Sequence, residues 1–289
     1  MSWEEPNRAD TPPLHIASRG DRYSSLTGVW WLDDRQYVVN HRSGLRLAVF
    51  NLDAGDKPVH KAAIPHLTDD VAAKKLDENR WLVAVSGCWA SAYSLFELSP
   101  SGFTLLKTVQ ESRLAPFMRG PLRRGKTFCH GVAYGPTGNL VITYHTGLSP
   151  RIVSVSNDET WRLPSPWGAR DACFDKDGSL YAVANTANPS PSAYEQTSAA
   201  IWKLEDGEFR MIVESPGAHF DAAAIYDGKL YANNQHDDNV SVFDLAAETE
   251  LDPIVDDAFS FPHGVDVSPN GILAVTNYGT STVVLRDLP

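Results

Sequence analysis

The chain has 289 residues, 43 % hydrophobic and 21 % charged, enough apolar material for a well-buried core and too little charge for a disordered chain. Its 36 acidic against 25 basic residues give a formal net charge of −11, which argues against general binding to nucleic acid or an anionic membrane. No run approaches the roughly 18 apolar residues of a spanning helix, and MSWEEPNRADTPP lacks the basic and apolar regions of a secretory leader, so a cytoplasmic protein is expected. Cys88, Cys129 and Cys173 form no CxxC, so neither a disulfide framework nor a structural zinc site is expected.

In chain order, residues 1–13, with three prolines and four charged residues, read as a loose lead-in. LHIAS (14–18) is strand-like but has no partner strands nearby. TGVWWLDDRQYVVNHRSGLRLAVFNL (27–52) then reads as strand, turn, strand, polar loop, strand. The pattern recurs, most weakly, at 69–98, where Thr68-Asp69-Asp70 could instead cap a short helix over VAAKKL. CHGVAYGPTGNLVITYHTGLSPRIVSV (129–155) is a clear copy, and RDACFDKDGSLYAVANT begins another at 170. FDAAAIYDGKLYANNQHDDNVSVFDLA (220–246) and PHGVDVSPNGILAVTNYGTSTVVLRDL (262–288) complete the set.

Gly28, Asp70, Gly131, Asp171, Asp221 and Gly264 align, at intervals of 42, 61, 40, 50 and 43 residues. This is the spacing of β-propeller blades of four strands each. VHKAAI, FTLLKTV, ETWRLP, FRMIVE and LDPIV supply fourth strands. The last repeat ends without one, so LHIAS is expected to close the ring as its outer strand, protecting the sheet edges. The expectation is an all-β, six-bladed propeller forming a single domain over 1–289.

In such a fold the Gly-containing turns lie on the bottom, and the starts of the inner strands lie on top, at the central channel. Two top-face insertions are expected, at about 107–128 and 186–200. The first is basic, carrying Arg123 and Arg124 among others, and suits an anionic ligand. Just before the aligned positions stand Thr27, Asp69, His130, Arg170, Phe220 and His263. A one-residue bulge would bring His219 level with His130 and His263. Strand alternation lets only one of the two adjacent sets face a given side.

Three uses of this ring stay open. His130, His263 and His219 could bind zinc, iron or copper. Asp171 and Asp221, with nearby Asn, could cage calcium or magnesium. Or the ring could be hydrogen-bonded scaffolding. Tyr144, His145, His236, Asn277 and Tyr278 end second strands or lie in the loops that follow, as candidate substrate contacts. G-x-S-x-G, HExxH and dinucleotide motifs are absent.

PHGVDVSPNGILAVTNYGTSTV and CHGVAYGPTGNLVITY resemble the repeats of six-bladed NHL and senescence-marker/gluconolactonase-type propellers. The resemblance implies a divalent metal at the top of the channel. Thr27-Gly28-Val29-Trp30 stands where the gluconolactonase branch has Glu-Gly-Pro-Val-Trp, so its Glu is missing. Arg170-Asp171-Ala172 stands at its Pro-Asp-Gly, leaving Asp171 as a ligand. Pro262-His263-Gly264-Val265 and Cys129-His130-Gly131-Val132 are similar to the zinc-binding segments of the amidating-lyase branch, but three blades apart rather than two. Strictosidine-synthase-type propellers are a further likeness.

The expected function is a metal-assisted hydrolase of a lactone or ester, or a lyase or cyclase on a metabolite. In it His130, His263, Arg170 and Asp171 are catalytic, and His130, His219, His263, Asp171 and Asp221 can hold the metal (Zn, Fe, Ca or Mg). The expected partner is a small molecule, anionic if the basic insertion and Arg170 face it. The alternative is a non-catalytic binding propeller.

Overall fold

The computed structural model describes residues 14–15, 26–42, 44–87, 92–110, 129–145, 150–186 and 197–288. The chain folds into six antiparallel four-stranded sheets. Blade one is Leu26–Trp31, Gln36–His41, Arg46–Asn51 and His60–Ala63, and blade two is Val71–Asp77, Arg80–Gly87, Ala92–Ser99 and Gly102–Gln110. Blade three is Cys129–Tyr134, Leu140–Tyr144, Arg151–Ser154 and Glu159–Trp161, and blade four is Trp167–Phe174, Leu180–Thr186, Ser198–Glu205 and Glu208–Pro216. Blade five is Phe220–Tyr226, Lys229–Asn234, Asn239–Asp244 and Thr249–Val255. Blade six is Pro262–Val267, Ile272–Asn277 and Thr282–Asp287, completed by Leu14–His15, which pairs with Val283 and Thr282. Inner strands of successive blades touch, and the sixth touches the first. The fold is a six-bladed β-propeller closed by its N-terminal strand, as the repeat count predicts.

Residues 71–77 form a strand, not the helix that Thr68-Asp69-Asp70 could have capped. Val71, Ala72 and Ala73 are buried in the blade packing, and Lys74 reaches the Gly138 carbonyl of blade three at 3.0 Å. The first insertion starts later than expected, because 107–110 belong to the outer strand of blade two. Its remainder, with Arg123 and Arg124, lies outside the described residues, as do 187–196 of the second.

Each seam between blades holds its own apolar cluster. Trp31, Tyr37 and Phe50 join blades six and one, and Phe220 and Phe243 join blades four and five. Trp167 packs on Trp202 in the cluster that joins blades three and four. Cys129 and Cys173 are buried thiols.

The seams are also bolted by polar residues. Five of the six inner strands shift register near their start, at Leu26/Val29, Cys129/Val132, Ala169/Asp171, Phe220/Ala223 and Pro262/Gly264. A bulge leaves a backbone N–H without its ladder partner. The second strand supplies an acceptor: Asn40 for Gly28, Thr143 for Gly131, Asn233 for Ala222 and Thr276 for Gly264. The same side chains donate onward. Thr143 bonds the Arg170 carbonyl, Asn233 that of Pro262 and Thr276 that of Thr27, each on the next blade. The approach is close enough that a Cβ on Gly264 would lie 2.2 Å from the Thr27 carbonyl oxygen. Gly264→Ala is therefore expected to cost about 3 kcal/mol, the upper end of overpacking, measured by urea unfolding. A cost under about 1 kcal/mol would show that this seam yields freely.

Candidate functional site

The bulges set the functional geometry. In five blades they interrupt strand alternation, so members of both adjacent residue sets face the channel, at two levels.

The upper level gathers side chains from all six blades. His130 Nε2 lies 3.3 Å from Asp69 and 3.7 Å from Asp221. His263 Nε2 lies 3.7 Å from Asp69 and 3.5 Å from Asp221. The two imidazoles are nearly parallel, with centroids 6.0 Å apart. Arg170 sits 3.4 Å from Asp221 and Arg42 sits 3.3 Å from Asp69. His219 Nε2 approaches Asp221 to 3.4 Å, and the Gln235 amide donates to it at 2.5 Å. His145 leans on His130 with centroids 4.8 Å apart, and Tyr278 stacks on His263.

Asp221 enters this ring through a register difference. Val132 pairs with Ile142 and Ala223 with Ala232. Asp221 thus shares the register of His130, and Ala222, not Asp221, occupies the glycine position. The cause is the hairpin after it, where Asp227 and Gly228 both have positive φ and Tyr226 pairs directly with Lys229, a tighter turn than in blade three. His219 is not brought level by the bulge. It stands before the strand and flanks Asp221, with its backbone N–H bonded to Asn234.

Burial decides protonation. It lowers His130 to about 4 even though Asp69 and Asp221 pull it up. It also lowers His145, with Arg170 and His130 adding to the effect, and lowers His219 against the pull of Asp221. These imidazoles are neutral at neutral pH, the form that binds metals or accepts protons. Burial pushes Asp221 up, but Arg170, His263 and His219 outweigh it and hold the carboxyl well below its usual range.

Asp69, His130 and His263 each offer a ligand atom, all within 4.8 Å of one another and all buried. Two imidazoles and a carboxylate are a donor set for zinc or iron with open positions. Among the described residues, His130 Nδ1 and one oxygen each of Asp69 and Asp221 are buried without a hydrogen bond. These residues can hold a divalent metal.

The lower level is different. Asp70, Asp171 and Asp266 line a channel cavity of about 440 Å³. They come from blades two, four and six, and each accepts a backbone N–H of the next blade: Val132, Ala223 and Trp31, at 2.9, 3.0 and 2.6 Å. Burial pushes Asp70 and Asp266 up to about 7, and burial plus Asp70 pushes Asp171 well above its usual range. Asp171 therefore does not join the histidines. Its oxygens accept from Ala172 and Ala223.

Of the other sequence candidates, His145 and Tyr278 wall the upper site, and His236 extends it, 5.6 Å from His219. Tyr144 packs with Tyr93, Cys129 and Ile142 between blades two and three. Asn277 is fully buried, its amide bonded to Ala258, Ser260 and Thr282. Asp69 was visible in the ring but not chosen. Arg42 and Gln235, which end or follow second strands as His145 does, were missed. The shared loop position was the available signal.

No family model matches the chain, and no curated protein does. Solved structures do. A catalytically inactive histidine variant of virginiamycin B lyase from Staphylococcus aureus, with quinupristin, superposes with a TM-score of 0.60 at 12 % identity, over 96 % of this chain and 99 % of that one. A glucose dehydrogenase gives 0.62 at 11 %, over 92 % and 97 %. A chain of a nidogen–laminin complex gives 0.61 at 14 %, over 84 % and 85 %. At these identities the likeness is one of fold, and that fold is shared by a lyase, a dehydrogenase and a nidogen–laminin complex alike. No helix among the described residues is long and apolar enough to cross a membrane.

Proposed function

We propose that the protein is a small-molecule enzyme that opens an ester or lactone bond, by hydrolysis or elimination, at the top of its channel. The observation that carries this is the convergence of His130, His263, Asp69 and Asp221 from four blades into one buried cluster, in which His130 Nδ1 makes no hydrogen bond. Asp69, His130 and His263 would hold a divalent metal of the zinc or iron type. Such an ion, when bound, polarises a carbonyl oxygen or acidifies a water. His219, neutral and oriented by Asp221 through its Nε2–H, takes up a proton at Nδ1. Arg170, partly open to the mouth, holds an anionic group of the substrate. His145 and Tyr278 shape the walls and exclude water. Virginiamycin B lyase, a fold neighbour, is described as inactive once one histidine is replaced, in keeping with histidine chemistry on this scaffold. Kinship with NHL or gluconolactonase-type propellers is part of the same proposal.

The competing reading, a scaffold that ties blades together without chemistry, is favoured by the pairing of each aspartate with an arginine. Elemental analysis of untagged, chelator-free protein separates the two. Near-stoichiometric zinc or iron, lost in the Asp69→Ala/His130→Ala/His263→Ala variant, is the expected result. A metal-free protein that stays metal-free after incubation with zinc, iron and manganese salts would overturn the metal-assisted reading.

A further inference from the structure

Four aromatic rings form a row that runs from the buried cluster to the surface. His130 and His263 lie nearly parallel, with centroids 6.0 Å apart. Tyr278 stacks on His263 at 5.6 Å and 24°. Phe261 meets Tyr278 edge-on, at 5.9 Å and 61°. The two histidines are buried and Tyr278 is half-buried, whereas Phe261 is 37 % exposed. Among the described residues it is the only exposed aromatic side chain.

Phe261 is also held in an unfavourable backbone conformation. Its φ is +52°, in the left-handed region that a bulky side chain avoids. The surroundings impose it. The Phe261 N–H donates to the Asp238 side chain at 2.6 Å, and its carbonyl accepts from the Tyr278 N–H at 3.0 Å. The Ser260 N–H donates to the Asn277 side chain at 3.0 Å, and its carbonyl accepts from the Gly279 N–H at 3.2 Å. Residues 260–261 are thus pinned to 277–279 at the top of blade six. Glycine or asparagine would take this φ at lower cost. A phenylalanine there, with its ring open to solvent, recovers little of the strain through burial. Strain kept in this way is a mark of ligand clamps.

An exposed ring, strained into place at the end of a row that starts at the reacting centre, has a use in holding substrate. We propose that Phe261 and Tyr278 form the seat for a planar aromatic ring, so that the molecule opened over His130 and His263 is an ester or lactone with an aryl group fused or joined directly beside its carbonyl. This rests on the reading of the channel mouth as an ester- or lactone-opening site, and adds the class of molecule that enters it. Aromatic pairs packed edge-on or offset gain attraction beyond their buried area. A planar ring therefore gains more from this seat than an alkyl chain of the same size.

The test is a ligand-observed NMR titration of the zinc-loaded protein with two inert lactams, δ-valerolactam and its benzo-fused analogue. Both have the shape of a six-membered lactone, and only the second carries an aryl ring. The fused compound should bind at least about tenfold more tightly. Phe261→Gly and Phe261→Asn should each remove that preference. Their melting temperatures should stay at or above that of the parent, because both residues accept the φ that strains phenylalanine. Phe261→Tyr, which restores a ring, should keep the preference. Equal affinity for the two lactams, binding of neither, or a preference that survives both ring-removing variants would overturn the inference. So would a clear fall in melting temperature in both of those variants, which would make Phe261 a packing residue. Metal uptake without an aryl preference sinks this inference and leaves the metal-assisted reading standing. An aryl preference that depends on Phe261, in protein that takes up no metal, keeps the seat and removes the metal.

Discussion

Asp221→Ala is expected to be the most damaging single change in the channel, lowering stability by about 3–5 kcal/mol and abolishing turnover. The carboxylate is 6 % exposed and serves Arg170, His130, His219, His263 and Gln235 at once. Removing it leaves the Arg170 charge beside imidazoles whose burial already disfavours protonation, with no counter-ion in reach from blade five. At about 2–4 °C per kcal/mol for a chain approaching this size, the melting temperature should fall by roughly 10 °C. A double-mutant cycle sharpens the claim. If the loss comes from stranding Arg170, then Arg170→Gln in the Asp221→Ala background should recover about 1–2 kcal/mol. Additive losses in thermal unfolding would show that Asp221 acts through packing instead. Activity should not return in the double variant, because His219 would still lack its orienting partner.

The second large effect concerns pH. Asp266 lines the lower cavity with a small part of its surface open, and burial raises its carboxyl to about 7. An unfolded aspartate titrates near 4. Between these values the native state keeps a proton that the unfolded chain has released. The group's contribution to stability is therefore fully present below about pH 4, and is lost as pH rises towards 7. Asp266→Asn keeps an oxygen for the Trp31 N–H, bonded at 2.6 Å in the parent, and removes the titration. Relative to wild type, the variant should gain about 2 kcal/mol between pH 4.5 and pH 8, a figure discounted for solvent reaching the carboxylate. Urea unfolding at the two pH values measures it. A variant-minus-parent difference that stays flat with pH would mean that Asp266 is ionised throughout. The comparison is made between variants because the neutral buried histidines act in the opposite sense, weakening the fold as pH falls below about 6.5.

The arginine that Asp221 serves was readable from the repeats, but the aspartate's own place was not. Repeat alignment assigned Arg170, His130 and His263 to one register, and pairing of the inner and second strands agrees. The same alignment put Asp221 one residue off, because a two-residue turn in blade five and longer turns elsewhere end on a similar Gly. Asp266 showed no signal at all. It sits two residues beyond its repeat's glycine, whereas Asp70 and Asp171 stand at that position, and only the assembled channel shows that all three play one part, each accepting a backbone N–H of the next blade. Arg42 and Gln235 leave the ends of second strands in polar segments that look like ordinary loop sequence.

The sequence by itself determined the architecture: six repeats of alternating strands and glycine turns, ring closure by the LHIAS segment (14–18), and a polar ring at the inner-strand starts. Periodicity and turn chemistry are local, and a repeat fold adds them blade by blade. Tertiary structure alone decided which polar residues meet. Residues more than a hundred positions apart converge on the axis, and in five blades a one-residue bulge determines which side chain arrives there. Burial in that ring then sets the charge of each group, keeping His130 neutral and Asp221 ionised, because desolvation and neighbouring charge depend on the assembled channel and not on the residues one by one.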